Sequence, residues 1–240
     1  MTKTPKSGRC VHCLQNVDNL TRDHVFPSAW YPDTTPENLQ RWTIPSCKKC
    51  NEEYGKLEED LLLRLGMCID PEDAKSSGIT DKVLRSIDPD YANDRTEKQT
   101  RERKRNKIKK EIVKWEAIPP IGLHPNFGVQ NNVYYPEYLS IPISADKLER
   151  LCHKIVRGIT YFVAQTFIES DFEIQFFTID DKAAQTILKK YQEHLETYDR
   201  PGIKVVRAMT SDNPDAGFYA IEIWGRLKMY AVIKPKKLSC

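Results

Sequence analysis

The chain is 240 residues long, enough to bury a core without staples, and its 30% charged and 40% hydrophobic residues exclude both disordered and fibrous classes. Its 37 basic and 34 acidic side chains leave a net charge of +3, which over the whole chain gives no reason to expect a nucleic-acid partner. No run approaches the roughly 18 apolar residues of a membrane span. The polar start MTKTPKSGR has no signal-peptide core, so a reducing, cytoplasmic setting is expected.

Residues 1–66 carry nine side chains of each sign and four of the seven cysteines, as Cys10-Val-His-Cys13 and Cys47-Lys-Lys-Cys50. Two such pairs in an intracellular chain read as a metal site, since zinc takes four soft ligands in a tetrahedron. The 33 residues between the pairs exceed the roughly 15–20 of a common four-cysteine ribbon, so something sizeable is built there. His12 then reads as a bystander inside a tetrahedron already filled. The intervening stretch holds Asp23-His24-Val25-Phe26-Pro27 and Asn38-Leu39. Asn51 follows the second pair and should open a helix, with Tyr54, Leu57, Leu61 and Leu65 at helical spacing and Gly66 as its stop.

Residues 67–94 hold three basic and seven acidic side chains with Pro71, Gly78 and Pro89, and read as an acidic connector of little periodicity. Residues 95–114 hold ten Lys or Arg against three acids, without Gly or Pro, and predict an exposed basic helix. The whole positive excess of the chain therefore lies in this one segment. Residues 115–240 are balanced again and read as an α+β domain with a mainly antiparallel sheet. After Pro119, Pro120, Pro125, Pro136 and Pro142, the residues Leu148, Leu151, Cys152, Ile155, Ile159, Phe162, Val163 and Thr166 mark an amphipathic helix starting near Ser144 or Asp146. Phe172–Thr178 alternates as a strand. Ala184, Ile187, Leu188, Tyr191 and Leu195 mark a second helix, and Ile203–Met209 another strand. Phe218–Trp224 and Leu227–Ile233 flank Gly225-Arg226, which suits a type II′ hairpin turn. Cys68, Cys152 and Cys240 read as ordinary thiols.

The ordered set DH with VxP, then NL, then CxxCN with a basic residue a few positions on resembles the HNH endonuclease family. The set is carried here by Asp23-His24, Val25 and Pro27, Asn38-Leu39, Cys47 to Asn51, and Lys56. The resemblance covers about the first quarter of the chain. It implies an N-terminal ββα-metal domain on a zinc treble-clef scaffold, in which strand, loop, strand and helix are pinned by Cys10, Cys13, Cys47 and Cys50. Such domains hydrolyse phosphodiesters, leaving a 5′-phosphate and a 3′-hydroxyl.

Cleavage needs an activated water and charge relief at the phosphate, which an imidazole and a divalent cation can supply. His24, with an ordinary pKa of about 6.5, is the expected general base, or else a hydrogen-bonded structural histidine. Asp23 is the expected carboxylate ligand of a catalytic Mg2+ or Mn2+, hard oxygen suiting that ion as thiolate suits zinc. Adjacent strand residues point to opposite faces, so Asp23 and His24 need a strand end or a bulge to face one phosphate. By the resemblance Asn51 gives the ion a carboxamide oxygen, its alternative being a helix N-cap. Asn38 would brace the loop carrying the base, or be a plain turn residue.

Lys48, Lys49 and Lys56, and in the basic helix Arg101, Arg103, Lys104, Arg105, Lys107, Lys109 and Lys110, could meet nucleic-acid phosphates or be solvated surface. The expected function is a metal-dependent HNH endonuclease acting on DNA. The C-terminal domain would offer a dimer or partner-protein contact that targets or regulates it, as in prokaryotic defence or mobile-element systems. The alternative is a non-catalytic zinc module that docks nucleic acid or protein.

Overall fold

The structure is a computed structural model and describes residues 7–115, 138–179, 181–190, 195–210 and 213–236. Pro119, Pro120, Pro125, Pro136, Tyr191 and Cys240 lie outside these residues. Two short strands, β1 (Gly8–Arg9) and β2 (Asn16–Val17), pair around the first CxxC. Strand β3 (Leu20–His24) then pairs antiparallel with β4 (Thr43–Cys47), and β4 runs straight into helix α1 (Lys48–Leu65). The helix begins three residues before Asn51. Its N-cap is Cys47, whose sulfur accepts from the Cys50 N–H at 3.4 Å, so the N-cap alternative for Asn51 is set aside.

The acidic stretch is more ordered than its composition predicts. It contains α2 (Ile79–Ile87), whose Ile79, Val83 and Ile87 recur every four residues and are all buried. The preceding Gly78 takes a left-handed φ of 74°, and a side chain there would collide with the Asp33 carboxylate. The basic segment forms α3 (Arg95–Glu111), capped by Asp94 at the Glu97 N–H and anchored by one buried apolar residue, Ile108. Strands β5 (Val113–Trp115) and β6 (Tyr138–Ser140) form a separate two-stranded ribbon.

The C-terminal part contains α4 (Ala145–Ala164), β7 (Phe172–Phe177), α5 (Asp181–Lys190), β8 (Leu195–Arg200), β9 (Ile203–Thr210), β10 (Asn213–Ile223) and β11 (Leu227–Pro235). The strands make one antiparallel sheet in the order β7-β11-β10-β9-β8, so the chain is α+β with an antiparallel sheet. Leu195 opens an edge strand rather than ending the second helix; LETYDR has too few apolar residues to announce a strand. The β10–β11 hairpin also differs from expectation. Its left-handed residues are Trp224 (φ 51°) and Gly225 (φ 68°), and Arg226 N–H donates to the Ile223 carbonyl, so the turn is centred one residue earlier, with the two positive φ values of type I′. Trp224 is held in this unusual backbone by stacking 5.0 Å from Trp30 and by its Nε1–H donating to the Trp30 carbonyl at 2.9 Å.

The sheet lies between α4 and α5. Tyr219, Ile221, Met229 and Ala231 face α4; Phe218, Tyr230 and Ala208 face α5 through Ala184. Helix α4 is itself enclosed, with its far side against the N-terminal elements. Val25, Phe26, Trp30, Leu57 and Leu61 join Leu151, Ile155, Ile159, Val205 and Ile221 in a single hydrophobic core. Gly158 lets α4 approach the residue just past β3 so closely that a Cβ there would lie 2.9 Å from the Val25 methyls. Phe162, placed by spacing in the helix's apolar stripe, is 39% exposed near the C-terminal end.

Candidate metal centre and the His24 strand

The sulfurs of Cys10, Cys13, Cys47 and Cys50 all lie within 4.8 Å of one another, the only group of this kind among the described residues. Cys13 and Cys47 are 3.9 Å apart, close to the edge of about 3.8 Å that a tetrahedron with metal–sulfur bonds of about 2.3 Å requires. Such a cluster can hold a metal such as zinc. Burial pushes the Cys10 thiol up, but N–H groups of Cys13, Cys47 and His12 outweigh it and bring it down to about 7. The Cys47 N–H lies 3.2 Å from its sulfur. A backbone that stabilises a thiolate before any ion arrives is suited to metal capture.

His12 is not in this cluster. Its Nε2 donates to Asp23 Oδ2 at 2.9 Å, its ring lies 4.5 Å from that of Tyr54, and burial lowers its pKa against the pull of Asp23. The other Asp23 oxygen, Oδ1, accepts from Lys154 Nζ at 2.9 Å. Lys154 comes from α4, is fully buried, also pairs with Glu58, and lies 5.5 Å over the Tyr54 ring. Burial alone would raise the Asp23 carboxyl; His12 and Lys154 together hold it below its usual range, whereas burial dominates at Glu58 and raises it. Four separate parts of the chain thus meet in a buried charge network whose central carboxylate has a partner on each oxygen.

Strand β3 pairs with β4 in unbroken register: Arg22↔Pro45, Asp23↔Ile44, His24↔Thr43. Asp23 and His24 consequently project from opposite faces, although His24 is the last strand residue, as the adjacency of the two residues requires for a shared site. Asp23 is buried against α1 and α4; His24 is half-exposed on the outer face, and its Nδ1 is buried with no hydrogen-bond partner among the described residues. Burial and then the charge of Arg41 lower the His24 pKa, with Asp23 opposing. Asn51 lies on the Asp23 side, its Nδ2 donating to Thr21 Oγ1 at 3.0 Å. Asn38 is an exposed turn residue between Pro36 and Leu39 with no side-chain hydrogen bond among the described residues.

Of the cationic residues, Lys48, Lys49 and Lys56 are exposed on α1. In α3, Arg101 binds Glu97 and the Arg85 and Asp88 carbonyls, and Lys104 pairs with Glu59. Arg105 is half-buried, with its Nε out of contact with water. Arg103, Lys107, Lys109 and Lys110 face solvent.

Sequence reasoning did not find Glu58, Lys154, Arg22 or Arg41. Lys154 did leave a signal, a charge beside Leu151 and Ile155 on the apolar side of a helix. No helix among the described residues is long and apolar enough to cross a membrane. No protein-family model, curated protein or solved structure matches the chain.

Proposed function

We propose that the protein is an HNH-type endonuclease that hydrolyses phosphodiester bonds in DNA. One observation carries this reading: a four-cysteine cluster clasps a β-hairpin and its following helix, with a half-exposed, unpartnered histidine at the end of the first strand. Zinc is the natural occupant of the cluster and would be structural. Its donors are all thiolates, with no position left for water.

His24 is the general base. Its lowered pKa keeps the imidazole neutral at neutral pH, able to take a proton from a water attacking phosphorus. Asp23 and Asn51 are the residues to which the resemblance would give a Mg2+ or Mn2+, but Asp23 projects from the face opposite His24. The fit is incomplete as these side chains stand. Both Asp23 oxygens are committed, so a hard cation gains that carboxylate only if Lys154 is withdrawn. In the same reading the exposed cations of α3 add backbone affinity, and the sheet unit targets or regulates cleavage.

The commitment of Asp23 favours one rival, a non-catalytic zinc module that binds nucleic acid. The two are separated by cleavage of plasmid and of single-stranded DNA with Mg2+ or Mn2+, comparing wild type with His24→Ala at equal zinc content. Loss of about 10^2-fold or more in the variant is expected for a general base. Wild-type protein that binds DNA without cutting it would establish the rival, and equal cutting by both proteins would remove His24 from the mechanism.

A further inference from the structure

We propose that the outer face of the β3–β4 ribbon is a phosphate-binding face, on which Arg41 and Arg22 flank His24 and hold a nucleic-acid phosphodiester against its imidazole. The inference deepens the nuclease reading by naming the residues that seat its substrate. Strand alternation defines the face. With the register unbroken and Val25 N–H bonded to the Trp42 carbonyl at 3.0 Å, Arg22 and His24 of β3 share one side with Arg41, Thr43 and Pro45. Thr21, Asp23, Trp42, Ile44 and Ser46 share the other. Exposure follows the same alternation: Arg22 and Arg41 are exposed and His24 and Thr43 half-exposed, while Asp23, Trp42, Ile44 and Ser46 are buried.

The chemistry of the face is that of an anion site. Its five side chains include two guanidiniums and an imidazole and no carboxylate. Arg41 is poised rather than consumed. Its guanidinium carbon lies 5.0 Å over the Tyr31 ring, and it has no ion pair or hydrogen bond among the described residues. Stacking limits the orientations of that plane while leaving its donors available for two phosphate oxygens. The inner face offers no equivalent. A phosphate there would displace Lys154 and meet the Asp23 and Glu58 carboxylates. Substrate phosphate and the Asp23 carboxylate therefore lie on opposite sides of the ribbon, and charge relief at the phosphate comes from arginine.

The test uses the full zinc-loaded chain. Fluorescein-labelled single-stranded and duplex DNA are titrated against wild type, Arg41→Ala, Arg22→Ala, the double variant and Arg41→Lys. In parallel, inorganic phosphate is titrated while the His24 imidazole resonances are followed by NMR. Dissociation constants about 10-fold weaker in each single alanine variant are expected, with partial recovery in Arg41→Lys. Phosphate should move the His24 resonances in wild type and not in Arg41→Ala. Melting temperatures are recorded for every variant, so that lost binding is separated from lost fold. Unaltered DNA binding and unaltered phosphate response in the double variant would overturn the inference. If such a variant still cuts DNA, the nuclease reading survives without this face. If binding is lost in the variants of a protein that cuts nothing, the face survives without the nuclease reading.

Discussion

Removing the Lys154 ammonium would leave Glu58 without a partner among the described residues and Asp23 with His12 alone, in a largely buried site. Breaking a buried pair from one side typically costs about 3–5 kcal/mol, because the surviving charge stays desolvated. Lys154→Met should destabilise the protein by that order in urea denaturation. Adding Asp23→Asn and Glu58→Gln should restore part of the loss.

The histidines give a second residue-scale expectation. Burial lowers the pKa of both His24 and His153 from the ordinary 6.5. Below that value the unfolded chain binds protons that the folded chain refuses, so stability falls as pH drops through 6.5 towards the folded values and is flat above it. Urea midpoints measured between about pH 5 and 7.5 should show this slope, and His24→Gln should reduce it. The acid limb of any cleavage profile should likewise lie below 6.5. At this scale the cysteines were readable because a CxxC turn fixes its geometry locally. The charge network was not, since Lys154 meets Asp23 across 131 residues of chain.

Among the elements, α3 was legible in its start but not in its end, since the helix expected over 95–114 stops at Glu111 and Val113 and Lys114 enter β5, nor in the division of its charges. Composition presents a uniform basic helix, whereas packing against α1 and α2 spends Arg101 and Lys104 on internal carboxylates and carbonyls. Neutralising Arg103, Lys107 and Lys110 together should flatten the dependence of log Kd on log salt for duplex DNA by up to about 0.9 per lost phosphate contact. Arg101→Gln should leave that slope alone and lower stability. An equal effect of both changes on the slope would contradict this partition. Helix α2 and strand β8 escaped notice for opposite reasons. The first has its three buried apolar residues in a field of acids and turn formers. The second is an edge strand with mostly polar side chains, whose partner β9 supplies the apolar residues.

For the whole molecule, charge blocks suggested separable units, and the burial pattern joins their inner surfaces. Trp30 and Trp224 stack across 194 residues, Arg9 grips Glu169 through two bonds of 2.5 and 2.6 Å, and Val25 presses on Gly158. A fragment ending at residue 94 keeps the four cysteines but loses the α4 wall of its core. It should give a poorly dispersed amide NMR spectrum even with zinc. In the full chain, chelating a metal held by the four cysteines should lower the melting temperature of the entire protein in one transition, rather than melt the N-terminal elements alone. Local periodicity revealed most elements; it carries no record of which faces will meet so far along the chain.

The enclosure of α4 also fixes an order of events during synthesis. The cysteine ribbon and α1 leave the ribosome long before residues 145–164 exist to cover them, and Trp30 waits longer still for Trp224. For that interval four thiols and an apolar hairpin stand uncovered. Early zinc capture would then protect the nascent chain from oxidation and aggregation, a service separate from anything the ion does for the finished fold.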